Sequence, residues 1–147
     1  EFLNSYFLKF PEIKTYMNNT IKFCRKSGYV NNIFGRRSHF VNINDKNFNV
    51  RNFQERAAIN APIQGSAADI IRLAMIKIDN TLEQNQMAKM LLQIHDELIF
   101  ECSRKDENKV KKLIKDAMVS VSSSEHHMFS IPLEVSINSG NNWGEAH

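Results

Sequence analysis

The sequence predicts an α+β fold in which helices pack against an antiparallel sheet. Three observations carry this expectation. Three stretches repeat apolar residues at helical spacing, two apolar runs close around a His95, Asp96, Glu97 triplet as a hairpin would, and Leu133, Val135 and Ile137 alternate as a final strand. With 147 residues, 42% of them hydrophobic and ten of them Phe, the chain is long enough to bury a core.

Taken in order, Phe2, Tyr6, Phe7 and Phe10 form an aromatic stripe that reads as core packing. Pro11 opens a helix whose apolar face is Ile13, Tyr16, Met17, Thr20, Ile21 and Cys24, and Gly28 ends it. Tyr29 to Phe34 and Ser38 to Ile43 read as short extended segments around Gly35, Arg36 and Arg37. Two adjacent arginines beside a glycine turn can grip phosphate, because each planar guanidinium offers paired donors; exposed Arg pairs also occur without a ligand. Asn44 to Asn52 reads as a loop.

The longest helical stretch begins at Arg51 or Asn52. Pro62 and Gly65 predict a bend or two consecutive helices, the second capped by Ser66 with Asp69 three residues on. Ile63, Ala67, Ile70, Ile71, Ala74, Ile78 and Leu82 make its expected buried face. Arg56, Asn60 and Gln64 recur every four residues as a polar stripe flanked by Ala57, Ala58 and Ala61, whose small size would admit a large partner. A plain solvated face accounts for such a stripe equally well. Ser103 with Asp106 marks the start of a further helix, with Val110, Leu113, Ile114, Ala117, Met118 and Val121 as its core stripe and Lys109, Lys111, Lys112 and Lys115 on its solvated side. Ser122 to Met128 reads as a polar loop whose His126 and His127 lack the acids or thiols of a metal site.

The stretch Leu91 to Cys102, LLQIHDELIFEC, carries the chemistry. Neighbouring residues on a strand point to opposite faces, so Asp96 and Glu97 can converge only where the strand turns or bulges. Acids held at a hairpin tip suit a hard divalent cation such as Mg²⁺, although surface turns are commonly acidic without one. Charge is uneven along the chain. Residues 1–73 hold eleven Lys or Arg against five acids, and residues 74–147 hold eight against eleven, so a net +3 divides into +6 and −3. A basic first half joined to an acidic second half suits a polyanion held against a cation site. No apolar run approaches the length of a membrane span, and the N-terminus lacks the plan of a signal peptide. Cys24 and Cys102 stand far apart without metal-ligand spacing, as in a reduced intracellular protein. The chain opens without Met, as a fragment or processed product would.

ERAAINAPIQGSAADIIRLAM at Glu55 to Met75, followed by LLQIHDELIFE at Leu91 to Glu101, closely resembles the C-terminal part of family A DNA polymerases, the DNA polymerase I type. GYVNNIFGRR at Gly28 to Arg37 and the ending SGNNWGEAH resemble the same family in the same order, so the resemblance spans essentially the whole chain and makes His147 its expected natural end. It implies fingers over residues 1–40 and the second half of the palm, with its antiparallel sheet, over 41–147. Asp96 would be a Mg²⁺ ligand, Glu97 a supporting acid near two ions, and His95 a contact near the primer end. Arg56 and Gln64 would face the minor groove of newly formed pairs, Asn60 the template, and Arg36 and Arg37 backbone phosphates. The groove presents acceptors common to every correct pair, so donors there test pair geometry without reading sequence.

The implied reaction is attack of a primer 3′-hydroxyl on the α-phosphate of a deoxynucleoside triphosphate, with primer-template DNA and the remainder of the polymerase chain as partners. The family's other essential aspartate and its nucleotide-binding fingers helix match no segment here. A chain of this kind is therefore expected not to polymerise alone. The alternative is a non-catalytic nucleic-acid-binding module derived from such a polymerase. Abundant Asn, Lys and Ile suits an A/T-rich coding genome and an organellar, plastid-type member.

Overall fold

A computed structural model describes residues 2–85, 87–124 and 127–147, without the side chains of 2–4, 83–85, 123–124 and 127–128. The expected His126 and the side chains of His127 and Phe2 therefore lie outside the described residues. The chain divides into two compact units, Glu1–Ser66 and Ala67–His147.

In the first unit, α1 (Phe2–Lys9) leads into α2 (Pro11–Ser27). Pro11 opens α2 where its missing N–H costs nothing, and Gly28 closes it at φ 77°, donating its N–H to Cys24 O at 2.7 Å. A short hairpin follows, β1 (Tyr29–Asn31) against β2 (Arg37–His39), with Tyr29 opposite His39 and Asn31 opposite Arg37. The N-terminal part of α3 (Phe48–Asn85) completes the unit. Cys24, Val30, Ile43 and Ala58 form its core, with Phe40 and Ala61 packed against them. The Tyr16 hydroxyl donates to Ile59 O at 2.9 Å, Arg25 pairs with Glu55, and Asn44 donates to Arg25 O at 2.9 Å, tying α2 to the loop and α3.

The aromatic stripe differs from the sequence reading. Tyr6 and Phe10 stay 39% and 41% exposed; Tyr6 packs its ring on Phe7 and Phe10 at 5.6 and 5.2 Å between centroids. The rings shelter one another because no described residue of α1 is buried.

α3 starts earlier than its apolar pattern. Within the Asn-rich stretch, Asn47 Oδ1 accepts from Asn49 N at 2.9 Å and Asn47 O accepts from Arg51 N at 3.0 Å, an asparagine start to the helix. The expected break into two helices is also absent, and α3 runs continuously past Pro62 and Gly65. Ser66 does not cap a second helix: its hydroxyl donates to Pro62 O at 2.5 Å and accepts from Ile33 N at 3.1 Å.

The second unit holds the rest of α3, the hairpin β3 (Ala88–Ile94) and β4 (Glu97–Cys102), α4 (Glu107–Val119), a 3-10 turn at Ser120–Ser122, a two-residue pairing of β5 (Ser123–Ser124) with β6 (His127–Met128), and α5 (Trp143–Ala146). Ile78 and Leu82 from α3 and Val110 and Ile114 from α4 form its core. Met90, Leu98, Phe100 and Ile137 pack against that cluster. Lys77 donates its ammonium to both Ser120 O and Ser120 Oγ at 3.0 Å, joining α3 to the end of α4. On the predicted face of α3, Ala74, Ile78 and Leu82 are buried and Ile70 and Ile71 half-buried, whereas Ile63 and Ala67 are exposed.

α4 begins at Glu107, four residues beyond Ser103. The Ser103 hydroxyl donates to Asp106 Oδ2 at 2.5 Å instead of accepting from a helix N–H, so the pair makes a turn ahead of the helix. The stripe predicted for α4 is borne out, with Val110, Ile114 and Val121 buried and Leu113, Ala117 and Met118 half-buried. The expected final strand makes no ladder among the described residues. Its alternation survives as half-buried Leu133, Val135 and Ile137 between exposed Glu134, Ser136 and Asn138, because one side rests on the core while a strand needs a hydrogen-bonded neighbour. The architecture is α+β, and its antiparallel pairing takes the form of three two-stranded ribbons among the described residues.

Candidate active site

The β3–β4 hairpin pairs Ile94 with Glu97, leaving His95 and Asp96 as a two-residue loop. A two-residue connection favours positive φ at its first position. His95 supplies it at φ 51°, the one non-glycine residue with positive φ among the described residues. An imidazole held there is strained, and Gln93 braces the turn by donating its amide to His95 O at 3.0 Å. The bulge of this hairpin lies lower, between Met90 and Leu92, and leaves Leu91 and Leu92 55% and 45% exposed. Asp96 and Glu97 thus project from a tip gripped by apolar pairs such as Met90 with Phe100.

A residue absent from the sequence-based candidates reaches this tip. His147 Nδ1 lies 3.2 Å from Glu97 Oε1. The ending SGNNWGEAH holds it there. Asn142 Oδ1 caps α5 by accepting from Glu145 N at 3.1 Å, and His147 N donates to Trp143 O at 3.0 Å. The Glu145 carboxylate accepts from Asn141 N at 2.9 Å, Asn141 Nδ2 at 3.0 Å and Asn142 Nδ2 at 2.8 Å. Bonding to the Asn141 backbone, then to the two amide side chains, pulls the Glu145 carboxyl below its ordinary pKa. A Cβ at Gly140 would lie 2.4 Å from Glu145 Cβ, so the close turn before α5 needs a glycine. The signal for this arrangement was the crowding of Gly, Asn and Trp around Glu145; the tip it points at could not be read from spacing.

Oxygen donors at an exposed tip fit a hard cation, but two carboxylates do not enclose one. Among the described residues no group of three or more His, Cys, Asp or Glu is placed to hold a metal ion.

Arg56, Asn60 and Gln64 are all exposed on α3 in the first unit. Of the alanines beside them, Ala57 is half-buried, while Ala58 is fully buried and Ala61 packs on the same core. They let α3 approach α2 and β1 on the opposite side. The two arginines of the β1–β2 turn take different surroundings. Arg37 stacks over the Tyr29 ring, 4.5 Å from its centroid, while Arg36 donates from Nη2 to Gly65 O at 3.1 Å. The fold thus brings together Glu97 with His147, Arg36 with the backbone beside Gln64, and Arg37 with Tyr29.

Comparison with known proteins bears on the family and the fold. A family model described as DNA polymerase family A matches residues 1–145. DNA polymerase I of Streptococcus pneumoniae is 44% identical over 99% of this chain, which spans 16% of that relative's length. DNA polymerase I of Rhizobium leguminosarum is 46% identical over all of the chain, which spans 15% of that relative. Among solved structures, the POL domain of Pol1 from M. smegmatis, in complex with DNA primer-template and dNTP, is similar at a TM-score of 0.90 and 37% identity, covering 98% of this chain and 25% of that one. The HDE hairpin, the glutamine-bearing helix and the capped ending thus lie in a chain that belongs to DNA polymerase family A.

Proposed function

We propose that this chain is the C-terminal part of a DNA-directed DNA polymerase, contributing one side of a two-metal nucleotidyl-transfer site and a surface for primer-template DNA. The observation that carries the reading is the strained His95–Asp96 tip, with its following acid held by His147, in a chain similar over 98% of its length to a polymerase domain solved with primer-template and dNTP.

Each residue does work its chemistry allows. Asp96 offers carboxylate oxygens to a divalent cation, Mg²⁺ in this reading, and Glu97, oriented by His147, supports the same charge. Bound at such a site, divalent cations supply positive charge to the attacking 3′-oxygen and to the leaving pyrophosphate. An aspartate elsewhere in the polymerase chain completes the set. His95 lies next to the acid and meets the primer end. Arg56 and Gln64 donate to minor-groove acceptors, and Asn60 faces the template. Arg37 meets a backbone phosphate through guanidinium edges left open by its stacking on Tyr29. The proposal includes an intracellular setting; the Asn-, Lys- and Ile-rich composition supports an organellar one, which a presequence in the gene would establish.

The test is single-turnover primer extension by the complete polymerase chain. Asp96→Asn should lower the rate by about 10²-fold or more while primer-template binding persists, since several kcal/mol of charge stabilisation depend on the cation. Wild-type extension by Asp96→Asn would refute the assignment.

A further inference from the structure

Gln64 stands where α3 is weakest by its own chemistry. Pro62 has no N–H, so the helix lacks the bond that residue 62 would make to Ala58 O. Gly65 is the poorest helix former apart from proline. A glutamine between these two would sit on a soft segment, yet α3 is continuous there.

The β1–β2 turn supplies what the helix lacks. Asn32, 9% exposed, organises that turn: its Oδ1 accepts from Phe34 N at 3.0 Å and Arg36 N at 2.9 Å, and its own N–H donates to Arg36 O at 3.0 Å. Gly35 turns the chain at φ 82°. From this turn, Asn32 Nδ2 and Arg36 Nη2 converge on Gly65 O at 3.2 and 3.1 Å. Ile33 N donates to the Ser66 hydroxyl at 3.1 Å, and that hydroxyl donates to Pro62 O at 2.5 Å. Two groups of the hairpin therefore hold the Gly65 carbonyl immediately after Gln64, a third holds the Ser66 hydroxyl, and Ser66 closes the circuit to Pro62. A Cβ at Gly65 would meet Arg36 Nη2 at 3.4 Å and Asn32 Cβ at 3.6 Å, ordinary van der Waals contact that places the turn directly against the helix.

We infer that Asn32, Arg36 and Ser66 are positioning residues that register Gln64 for the base pair it tests, and that Arg36 acts through the Gly65 carbonyl and not on a DNA phosphate. The inference rests on the reading of Gln64 as a minor-groove donor. It divides the adjacent arginines: Arg37 is the phosphate contact, and Arg36 holds the helix. A charged donor on a carbonyl makes a stronger hydrogen bond than a neutral one, so at Gly65 O Arg36 carries more of this restraint than the Asn32 amide does.

Two measurements on the complete polymerase chain test it. In single-turnover extension from a matched primer, Arg36→Ala should slow the rate about tenfold, the effect of one lost charged-group hydrogen bond. Arg36→Lys should recover part of that loss, and Arg36→Ala with Gln64→Ala should be no slower than Gln64→Ala alone. In the salt dependence of primer-template affinity, Arg37→Ala should reduce the slope by about one phosphate contact, and Arg36→Ala should leave it unchanged. Arg36 is exposed, and thermal melting verifies that its variants fold. Multiplicative losses in the double variant, a full-rate Arg36→Ala, or a slope lowered by Arg36→Ala would each overturn the inference while leaving the role of Gln64 intact. A silent Gln64→Ala would instead overturn the minor-groove reading, and this inference with it.

Discussion

His147 Nδ1 lies 3.2 Å from Glu97 Oε1, which joins the last helix to the acidic hairpin tip. Both side chains are well exposed, at 67% and 46%, so the pair contributes little to folding, within the ~0.2–1 kcal/mol typical of surface ion pairs. Its consequence is orientation. His147→Ala should leave the melting temperature nearly unchanged and slow extension by the complete polymerase severalfold, with His147→Gln, which keeps a donor, intermediate. An extension rate unaffected by His147→Ala would remove any role for the contact.

Gly140→Ala should act on the same contact from a distance. The added Cβ would overlap Glu145, and relieving that overlap must shift α5 and withdraw His147. Its extension defect should match that of His147→Ala, and combining the two should add nothing further. A double variant clearly worse than either one would show that Gly140 acts elsewhere.

Gln64→Ala should weaken extension from matched and mismatched ends alike, because the donor tests pair geometry and reads no sequence. The measurement is the extension rate from paired and mispaired primer termini. Unchanged rate and fidelity would count against a minor-groove role.

Two carboxylates give the fold a dependence on acid. Glu107 is held below its ordinary pKa of 4.5, first by the Lys111 hydrogen bond and then by Ser139; Glu145 is lowered by the Asn141 backbone and side-chain amides. Groups with depressed folded-state values stabilise fully above 4.5 and lose that contribution as pH falls through their folded values. Urea midpoints should therefore fall on acidification below that value, and less steeply in Glu107→Gln with Glu145→Gln than in the wild type. Parallel curves for both proteins would show that these bonds carry no linkage.

Ile78 is fully buried between α3 and α4. Ile78→Ala should cost about 2–5 kcal/mol in urea unfolding, set by how far Val110 and Ile114 collapse into the space. A cost below about 1 kcal/mol would mean that the cluster is loosely packed.

Local chemistry made much of this protein legible from its sequence. Pro11 and Gly28 delimit α2, the apolar spacing of α4 foretells its buried face, and the His95, Asp96, Glu97 triplet between apolar runs marks a hairpin turn, because caps, periodicity and turns depend on residues only a few positions apart. Signals of the same kind misled where a distant group intervened. Pro62 and Gly65 read as a bend or as a break into two helices, yet α3 runs on with the β1–β2 turn bonded to Gly65, and Leu133 to Ile137 read as a strand although no described residue pairs with it.

Family membership was thus legible in the sequence alone, and Asp96, Glu97 and Gln64 stood out there as candidate site residues, since these lie in contiguous motifs. Only the tertiary structure decided that His147 meets Glu97, fifty residues away, and that Arg36 grips Gly65 while its neighbour Arg37 stacks on Tyr29. Hydrogen bonds between distant segments depend on how the intervening elements pack, and no spacing in the chain encodes that distance.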